Sequence, residues 1–259
     1  MLYVTTSFLL LLKFETAKSA VRSGCLDTPM SSLGFQEFYF CYSQSMKLLL
    51  TSGGLRNKTL ISELLTLVAK PAGKMKVAFV PTAMHTEPGD KGWMIDQLLR
   101  LRDMGVAQLD IVDISAVPKT IWLPRVEESN VIFVNGGNTT HLMQQCNKSG
   151  FSAELPRLLK TRVYVGASAG SYIATPDLRF NSDATTTILD GLKFVPFGIQ
   201  AHYKNPKFPL AKSYTAVQKR VKGCPYPVYA LDDQMALKVD GKKVQVVGAG
   251  EYVLFEPTT

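Results

Sequence analysis

The residues best suited to chemistry lie in the pentapeptide Gly166-Ala167-Ser168-Ala169-Gly170, which places a serine between two glycines. It follows the apolar run VYVG and precedes a segment that reads as helical. A GxSxG sequence between a strand and a helix is typical of a nucleophile elbow, a sharp turn whose flanking side chains would collide with their neighbours. We therefore predict that Ser168 is a nucleophile at the carboxyl edge of a parallel sheet, with the Ala169 N–H as an oxyanion donor.

A nucleophilic serine needs a base, and the chain has three histidines. His202 ends the apolar run FVPFGIQAHY, so it is expected at a strand end and can share the sheet edge with Ser168. We predict His202 as the base. His141, in a helix that begins just after the fourth predicted strand, is the alternative, whereas His85 lies in a turn after the second strand.

The base in turn needs an acid that fixes its tautomer and stabilises the imidazolium. Asp183 lies in RFNSDATTT, after the serine, and Asp232 and Asp233 lie in YALDDQMAL, at the end of a predicted strand. Loop aspartates often serve only as caps or turn residues. The residues alone therefore leave all three candidates open.

A second glycine-rich loop, Asn135-Gly136-Gly137-Asn138, follows the buried run VIFVN and precedes a helix. Two successive glycines let the backbone approach a substrate closely, and the helix dipole begins at this point. We expect a second oxyanion donor in this loop, with Gly136 and Asn138 as substrate-binding residues.

The elements that must position these loops alternate from Met46 onward. Short apolar runs predict five buried strands, at 47–51, 76–81, 108–113, 131–135 and 163–166. Amphipathic helices are predicted in three of the four intervals between them, the first capped by Asn57. Strands separated by helices need crossover connections, so the pattern predicts a three-layer α/β fold with a mostly parallel sheet and helices on both faces.

The pattern changes after residue 180. Strands are predicted at 192–201 and 228–231, with a helix containing VQKRV between them. Residues 235–256 alternate apolar and polar side chains around turn signals, which predicts a C-terminal antiparallel hairpin that closes the sheet.

Composition narrows the class of protein. The chain has 259 residues, 46% of them apolar, which is enough for one large α/β domain, predicted over 46–259. The net charge of +8 is dispersed without basic clusters, which argues against a nucleic-acid partner. The cysteines form no CxxC pair and lie near no histidine at zinc-ligand spacing, so we expect a reduced, cytoplasmic protein without a metal site; they are Cys25, Cys41, Cys146 and Cys224.

Residues 1–45 are predicted to be a loosely packed appendage. Their apolar run FLLLL is far shorter than the roughly 18 residues of a membrane span. No basic segment precedes that run, so a signal peptide is not favoured, and we expect no membrane partner. A weak targeting segment stays open as the alternative.

Several of these pieces occur in the order found in peptidase E: VNGGNTTHLM, GASAGS, NSD, QAHY and ALDDQMAL. On these motifs the chain, from about Met46 to Phe255, resembles the aspartyl dipeptidase-like serine peptidases, which are relatives of cyanophycinase. The resemblance implies a fold like that of class I glutamine amidotransferases, with a flavodoxin-like core and a serine in place of their cysteine.

The same resemblance implies roles for single residues. Ser168 would be the nucleophile and His202 the base, and the N–H groups of Gly137 and Ala169 would form the oxyanion hole. In the dipeptidases a glutamate completes the triad, and the matching position here holds Asp233, whose side chain is shorter by one methylene.

Asp183 matches a further aspartate that these enzymes need, which would bind the substrate amine or hold the site together. The arginine-bearing segment that suits an N-terminal aspartate has no clear counterpart in this chain. Lys204 or Lys207 could replace it, so a preference for Asp-Xaa peptides is left open.

We therefore predict a serine peptidase that hydrolyses small peptides, without a metal or organic cofactor, as a monomer or a homodimer. Another serine hydrolase of the same fold, acting on esters or a cyanophycin-like polymer, and a non-catalytic binding module are the alternatives. A nucleic-acid binder is suggested by the charge alone.

Overall fold

The computed structural model of the protein describes residues 46–180 and 188–257, and it arranges them as an α/β fold. The strands of this part are β1 (Lys47–Thr51), β2 (Lys76–Val80), β3 (Gln108–Ile111), β4 (Val131–Val134), β5 (Val163–Ala167), β6 (Gly198–Gln200), β7 (Val228–Leu231), β8 (Met235–Asp240), β9 (Lys243–Gly248) and β10 (Tyr252–Phe255). Its α-helices are α1 (Lys58–Val68), α2 (Gly92–Asp103), α3 (Lys119–Glu127), α4 (Thr139–Ser149), α5 (Phe151–Leu158), α6 (Ala169–Tyr172) and α7 (Tyr214–Val221).

The main sheet has seven strands in the order β3-β2-β4-β5-β1-β8-β9. The first five of these pair in parallel, and β8 and β9 continue the sheet as the predicted antiparallel hairpin. The register pairs Thr51 with Ala167 and Val134 with Gly166, so the carboxyl ends of β1, β4 and β5 lie side by side. The loops that follow these strands therefore meet at one edge.

Alternate residues of the parallel strands lie on opposite faces of the main sheet and contribute to one hydrophobic core on each face. One set, exemplified by Leu49 and Phe79, packs with buried leucines of α1 and α2. The other set, exemplified by Leu50 and Ile132, packs with the buried side chains of α3 to α6. Because both faces of β1, β2, β4 and β5 are buried, these strands read as continuous apolar runs. The expectation of a buried strand is wrong for β3, which lies at the edge of the sheet and is partly exposed.

A second, three-stranded sheet has the order β10-β7-β6 and was not predicted. The strand expected at 192–201 is wrong in its first half, since only Gly198–Gln200 forms β6. The backbone before it turns back on the end of α6, where Leu192 N–H donates to Ile173 O at 2.7 Å and Phe194 N–H donates to Ala174 O at 2.9 Å. These bonds to a helix end replace the ladder that a longer strand would need.

Helix α3 was also not predicted from the sequence. It begins after Pro118 and contains Pro124, and only Trp122 and Val126 are buried. Two prolines and so few buried apolar positions hide a helical pattern, because proline removes a backbone donor and usually marks a boundary.

Three predictions fall wholly or partly outside the described residues: the appendage at 1–45, the cysteines Cys25 and Cys41, and Asp183. The other two cysteines are buried. Within the described ranges no helix combines the length and apolarity that crossing a membrane requires.

Candidate active site

Ser168 occupies the sharp turn between β5 and α6. Its backbone dihedrals are φ 48° and ψ −106°, a conformation that costs free energy for a residue with a side chain. The turn is tied to the neighbouring strand, because Ser168 N–H donates to Thr51 O at 3.1 Å. The Ser171 hydroxyl donates to the same carbonyl at 2.8 Å. The strained serine is thus held in place by the end of β1.

The two flanking glycines are required by close backbone packing. A Cβ on Gly166 would lie 2.7 Å from the carbonyl of Gly170, and a Cβ on Gly170 would lie 2.1 Å from the carbonyl oxygen of Val134. Both distances are shorter than any real Cβ contact, and the atoms struck are backbone atoms that cannot move aside. The collision anticipated from the GxSxG spacing is therefore present in the structure.

His202 follows β6 and reaches the same edge. Its Nε2 lies 2.9 Å from Ser168 Oγ. The backbone of His202 has φ 62°, and its N–H donates to Ser52 Oγ at 2.8 Å. The imidazole stacks on the ring of Phe208, with centroids 3.8 Å apart and planes 9° from parallel. The histidine is therefore fixed through both its backbone and its ring face.

Asp233 lies between β7 and β8 and extends the chain of hydrogen bonds. Its Oδ1 lies 2.6 Å from His202 Nδ1, and its Oδ2 accepts from Asn205 Nδ2 at 2.7 Å. Burial raises the pKa of Asp233, but the hydrogen bond and charge of His202, the bond from Asn205 and the charge of Arg56 together lower that pKa below its ordinary value. An ionised carboxylate only accepts, so Nδ1 carries the proton, and Nε2 of the neutral ring can accept from the Ser168 hydroxyl.

The other candidate histidines and acids lie elsewhere. His85 Nε2 is 2.9 Å from Asp113 Oδ2. The Asp232 carboxylate accepts from the backbone N–H of Gln234 at 2.8 Å, which is the turn role of a loop aspartate, and from that of Glu251 at 2.5 Å, in the loop between β9 and β10. His141 is absent from the residues lining the pocket at Ser168.

Gly137, in the second glycine-rich loop, has φ 133°, and a Cβ there would lie 2.2 Å from Ala83 O, so glycine is required. Gly136 lies beside the serine, since its own Cβ would be 3.3 Å from Ser168 Cβ. Within the described ranges, the N–H groups of Gly137 and Ala169 donate to no protein acceptor. Both donors therefore remain available to a ligand.

Asn138 has a different place from the one expected. Its N–H donates to Ala83 O at 2.8 Å, and its side chain accepts from His141 N–H at 2.8 Å as the cap of α4. It is not among the residues that line the pocket, whereas Gly136 and Gly137 are. The asparagine positions the loop, and the two glycines face the pocket.

The pocket in front of Ser168 has a volume of about 790 Å³. Its wall carries three basic residues, Arg56, Lys207 and Arg220, and two acidic residues, Glu87 and Asp233. Lys204, the other lysine considered for substrate binding, instead pairs with Glu251 at 2.5 Å on the surface. Trp93, Phe208 and Leu210 are among the apolar parts of the wall.

Sequence reasoning missed three residues that hold the site: Ser52, Asn205 and Phe208. Ser52 follows β1 in the segment TSGG, so its place at a strand end, next to glycines, was an available signal. Asn205 and Phe208 lie in a loop without a periodic pattern, and only their nearness to His202 along the chain pointed to them.

A three-layer α/β fold with a serine at a strand–helix elbow and a histidine in hydrogen-bond distance defines the serine hydrolase class. The sequence model of peptidase family S51 matches residues 48–247, so the chain belongs to that family and is a serine peptidase of the peptidase E type.

Relatives agree with this assignment. Peptidase E from Escherichia coli O6:K15:H31 (strain 536 / UPEC) and peptidase E from Escherichia coli (strain K12 / DH10B) are each 28% identical to the chain over 163 residues, covering 61% of this chain and 69% of the relative.

Solved structures of two proteins share the fold. A protein from Listeria monocytogenes EGD-e, assigned provisionally to peptidase E, superposes with a TM-score of 0.66 at 22% identity, over 79% of this chain and 99% of its own. A peptidase from an acI-B1 Actinobacterium gives a TM-score of 0.60 at 16% identity, over 82% and 98%.

Proposed function

We propose that the protein hydrolyses small peptides through Ser168, His202 and Asp233, with the N–H groups of Gly137 and Ala169 as the oxyanion hole. The observation that carries the proposal is the unbroken chain of hydrogen bonds from Ser168 Oγ to His202 Nε2, at 2.9 Å, and from His202 Nδ1 to Asp233 Oδ1, at 2.6 Å. Membership of family S51 supports the same chemistry.

The reaction follows from this arrangement. Ser168 Oγ attacks the peptide carbonyl carbon while His202 Nε2 takes the hydroxyl proton, and the negative charge on the carbonyl oxygen is stabilised by the two N–H groups. His202 then returns the proton to the leaving amine, the C–N bond breaks and an acyl-enzyme remains. Water, deprotonated by His202, releases the acyl group and restores the serine. Asp233 stabilises the imidazolium in both halves.

The pocket wall favours a substrate with an acidic side chain, such as an N-terminal Asp-Xaa peptide. Three basic residues line it, and Arg220 is the most enclosed of them. The Arg220 guanidinium donates to Gln200 Oε1 at 2.6 Å and to Phe180 O at 3.2 Å, and burial lowers its pKa. Arg220 is partly buried and has lost part of its hydration, so a substrate carboxylate beside it would add to the stabilisation that its backbone and side-chain partners provide.

The central test combines labelling with substrate profiling. We expect a fluorophosphonate probe to label Ser168 in the wild-type protein. The Ser168→Ala variant should not be labelled, and its kcat on dipeptides should be lower by a factor of at least about 10⁴. If Ser168 is labelled and the protein cleaves simple esters but no dipeptides, the proposed peptidase activity would be wrong and the protein would be another serine hydrolase. Absence of labelling in the wild-type protein would overturn the proposal and leave a binding module.

The acidic preference has its own matched pair of substrates. Asp-Leu and Asn-Leu have nearly the same shape and differ in charge. We expect kcat/KM for Asp-Leu to exceed that for Asn-Leu by about tenfold or more, the effect of one charge-assisted contact. Arg220→Met should remove most of the difference, and equal rates in the wild-type protein would exclude the acidic preference.

The cytoplasmic location also remains a proposal.

A further inference from the structure

Asn205 contacts both the base and the acid of the site. Its Nδ2 donates to Asp233 Oδ2 at 2.7 Å, and its backbone N–H donates to His202 O at 3.0 Å. The oxygen of Asp233 that it holds is the one that does not contact His202. A single residue therefore connects the second carboxylate oxygen to the backbone of the histidine.

The orientation of the Asn205 amide is determined by its partners. Lys207 N–H donates to Asn205 Oδ1 at 3.0 Å, so the opposite end of the amide must be the NH₂ group that faces the carboxylate. The short turn that brings Asn205 here has positive φ at His202, 62°, and at Lys204, 61°. Two residues thus adopt an uncommon backbone so that the amide reaches Asp233.

A carboxylate with one hydrogen-bonded oxygen can still rotate about its Cβ–Cγ bond, and rotation would displace Oδ1 from His202. A second hydrogen bond on Oδ2 opposes this rotation. Asp233 is short, so its position relative to His202 depends on such support rather than on the reach of its own side chain. Among the described residues, the charge of Arg56 also acts on Asp233.

We propose that Asn205 is a positioning residue of the catalytic site, which acts through Asp233 by holding its carboxylate in the orientation that serves His202. The inference rests on the proposed function above. Asn205 also lines the pocket, so a direct effect on substrate binding and a purely structural effect on the loop are the two explanations that an experiment must separate.

A double-mutant cycle separates them. The rate of fluorophosphonate labelling at Ser168 is measured, by mass spectrometry over long incubations, in the wild type, Asn205→Ala, Asp233→Ala and the double variant. We expect Asn205→Ala to slow labelling about 10- to 100-fold, the usual size of a small misplacement of a catalytic group. In the Asp233→Ala background the same substitution should change the rate less than about threefold, because no carboxylate is left to position.

Peptide kinetics add a second readout. Asn205→Ala should lower kcat by a similar factor and change KM less than about threefold, since the loss arises in the transition state. An equal effect of Asn205→Ala in both backgrounds, or a loss confined to KM, would overturn the inference.

Two further variants keep the test interpretable. If Asn205→Ala does not fold, Asn205→Ser carries the same cycle, because a serine hydroxyl can still accept the Lys207 N–H within the turn. Asn147→Ala is the matched control: its Oδ1 accepts from Ser152 Oγ at 2.8 Å near the far end of α4, and we expect unchanged labelling.

The same data distinguish failure of the two proposals. A wild-type protein that is not labelled at Ser168 would remove the proposed function itself. A wild-type protein that is labelled, with Asn205→Ala labelled at the same rate, would remove only the role of Asn205.

Discussion

The two sides of the candidate active site are built by different means. The side of the proposed nucleophile is held by backbone packing: the turn at Ser168 fits only because Gly166 and Gly170 have no side chains. The side of the proposed base and acid is held by side-chain hydrogen bonds, which Asp233 accepts from Asn205 and from His202. We therefore expect substitutions on the first side to destabilise the folded protein. Substitutions on the second side should lower the activity of a protein that still folds.

The largest effect on stability is expected on the backbone-packed side. Gly170→Ala would place a Cβ 2.1 Å from Val134 O, so strands β4 and β5 and helix α6 would have to separate. We expect a loss of about 3 kcal/mol or more in the free energy of unfolding, measured by urea titration. Gly73→Ala is the control, since its Cβ would meet nothing nearer than 3.9 Å, and its stability should be close to that of the wild type.

A change on the hydrogen-bonded side should separate activity from stability. Asp233→Asn keeps the shape of the side chain but no longer holds His202 in the productive tautomer, so kcat should fall by about 10³ to 10⁴. The circular dichroism spectrum should be unchanged. Asp232→Asn, next to it in the chain, should keep activity within about threefold because the Asp232 oxygens accept from the backbone N–H groups of Gln234 and Glu251 and not from His202. The reverse pattern would make Asp232 the acid.

A smaller effect is expected from the ring that stacks on the base. Phe208→Leu would remove the parallel stack on His202, worth about 0.5–1.5 kcal/mol, and should lower kcat roughly three- to tenfold. Phe194→Leu is the matched control, because Phe194 packs edge-on against Tyr164, away from the pocket wall. It should reduce stability and leave kcat unchanged. Equal kinetic effects of both variants would contradict this prediction.

The smallest effect concerns the acid dependence of stability. The pKa of Asp233 is lower in the folded protein than its ordinary value, so its ionised form stabilises the fold at neutral pH. That contribution is present above the unfolded-state pKa and is lost as the pH falls through the folded-state pKa. The difference in unfolding free energy between the wild type and Asp233→Asn should therefore shrink below about pH 4, in urea titrations at successive pH values. A difference that is independent of pH would show that the carboxylate charge does not stabilise the fold.

The contrast between the two sides also explains what sequence reasoning achieved. Glycine is sterically required at positions 166 and 170, so this requirement appears in the sequence as the GxSxG motif around Ser168. Asparagine and aspartate are common loop residues, so Asn205 went unnoticed and Asp232 and Asp233 could not be told apart from spacing alone. The capping of α4 by Asn138 was not foreseen for the same reason, because a cap and a ligand residue look alike in a glycine-rich loop.

By itself the sequence determined the parallel strands, the elbow at Ser168 and His202 as the histidine nearest the sheet edge. Those features depend on local apolar patterns and on steric rules that hold wherever a strand meets a helix. Only the tertiary structure decided that Asp233 rather than Asp232 faces His202, that Asn205 holds it, and that β10 joins a second sheet. Those outcomes depend on contacts between residues that are distant along the chain, and local sequence patterns do not indicate which distant residues come into contact.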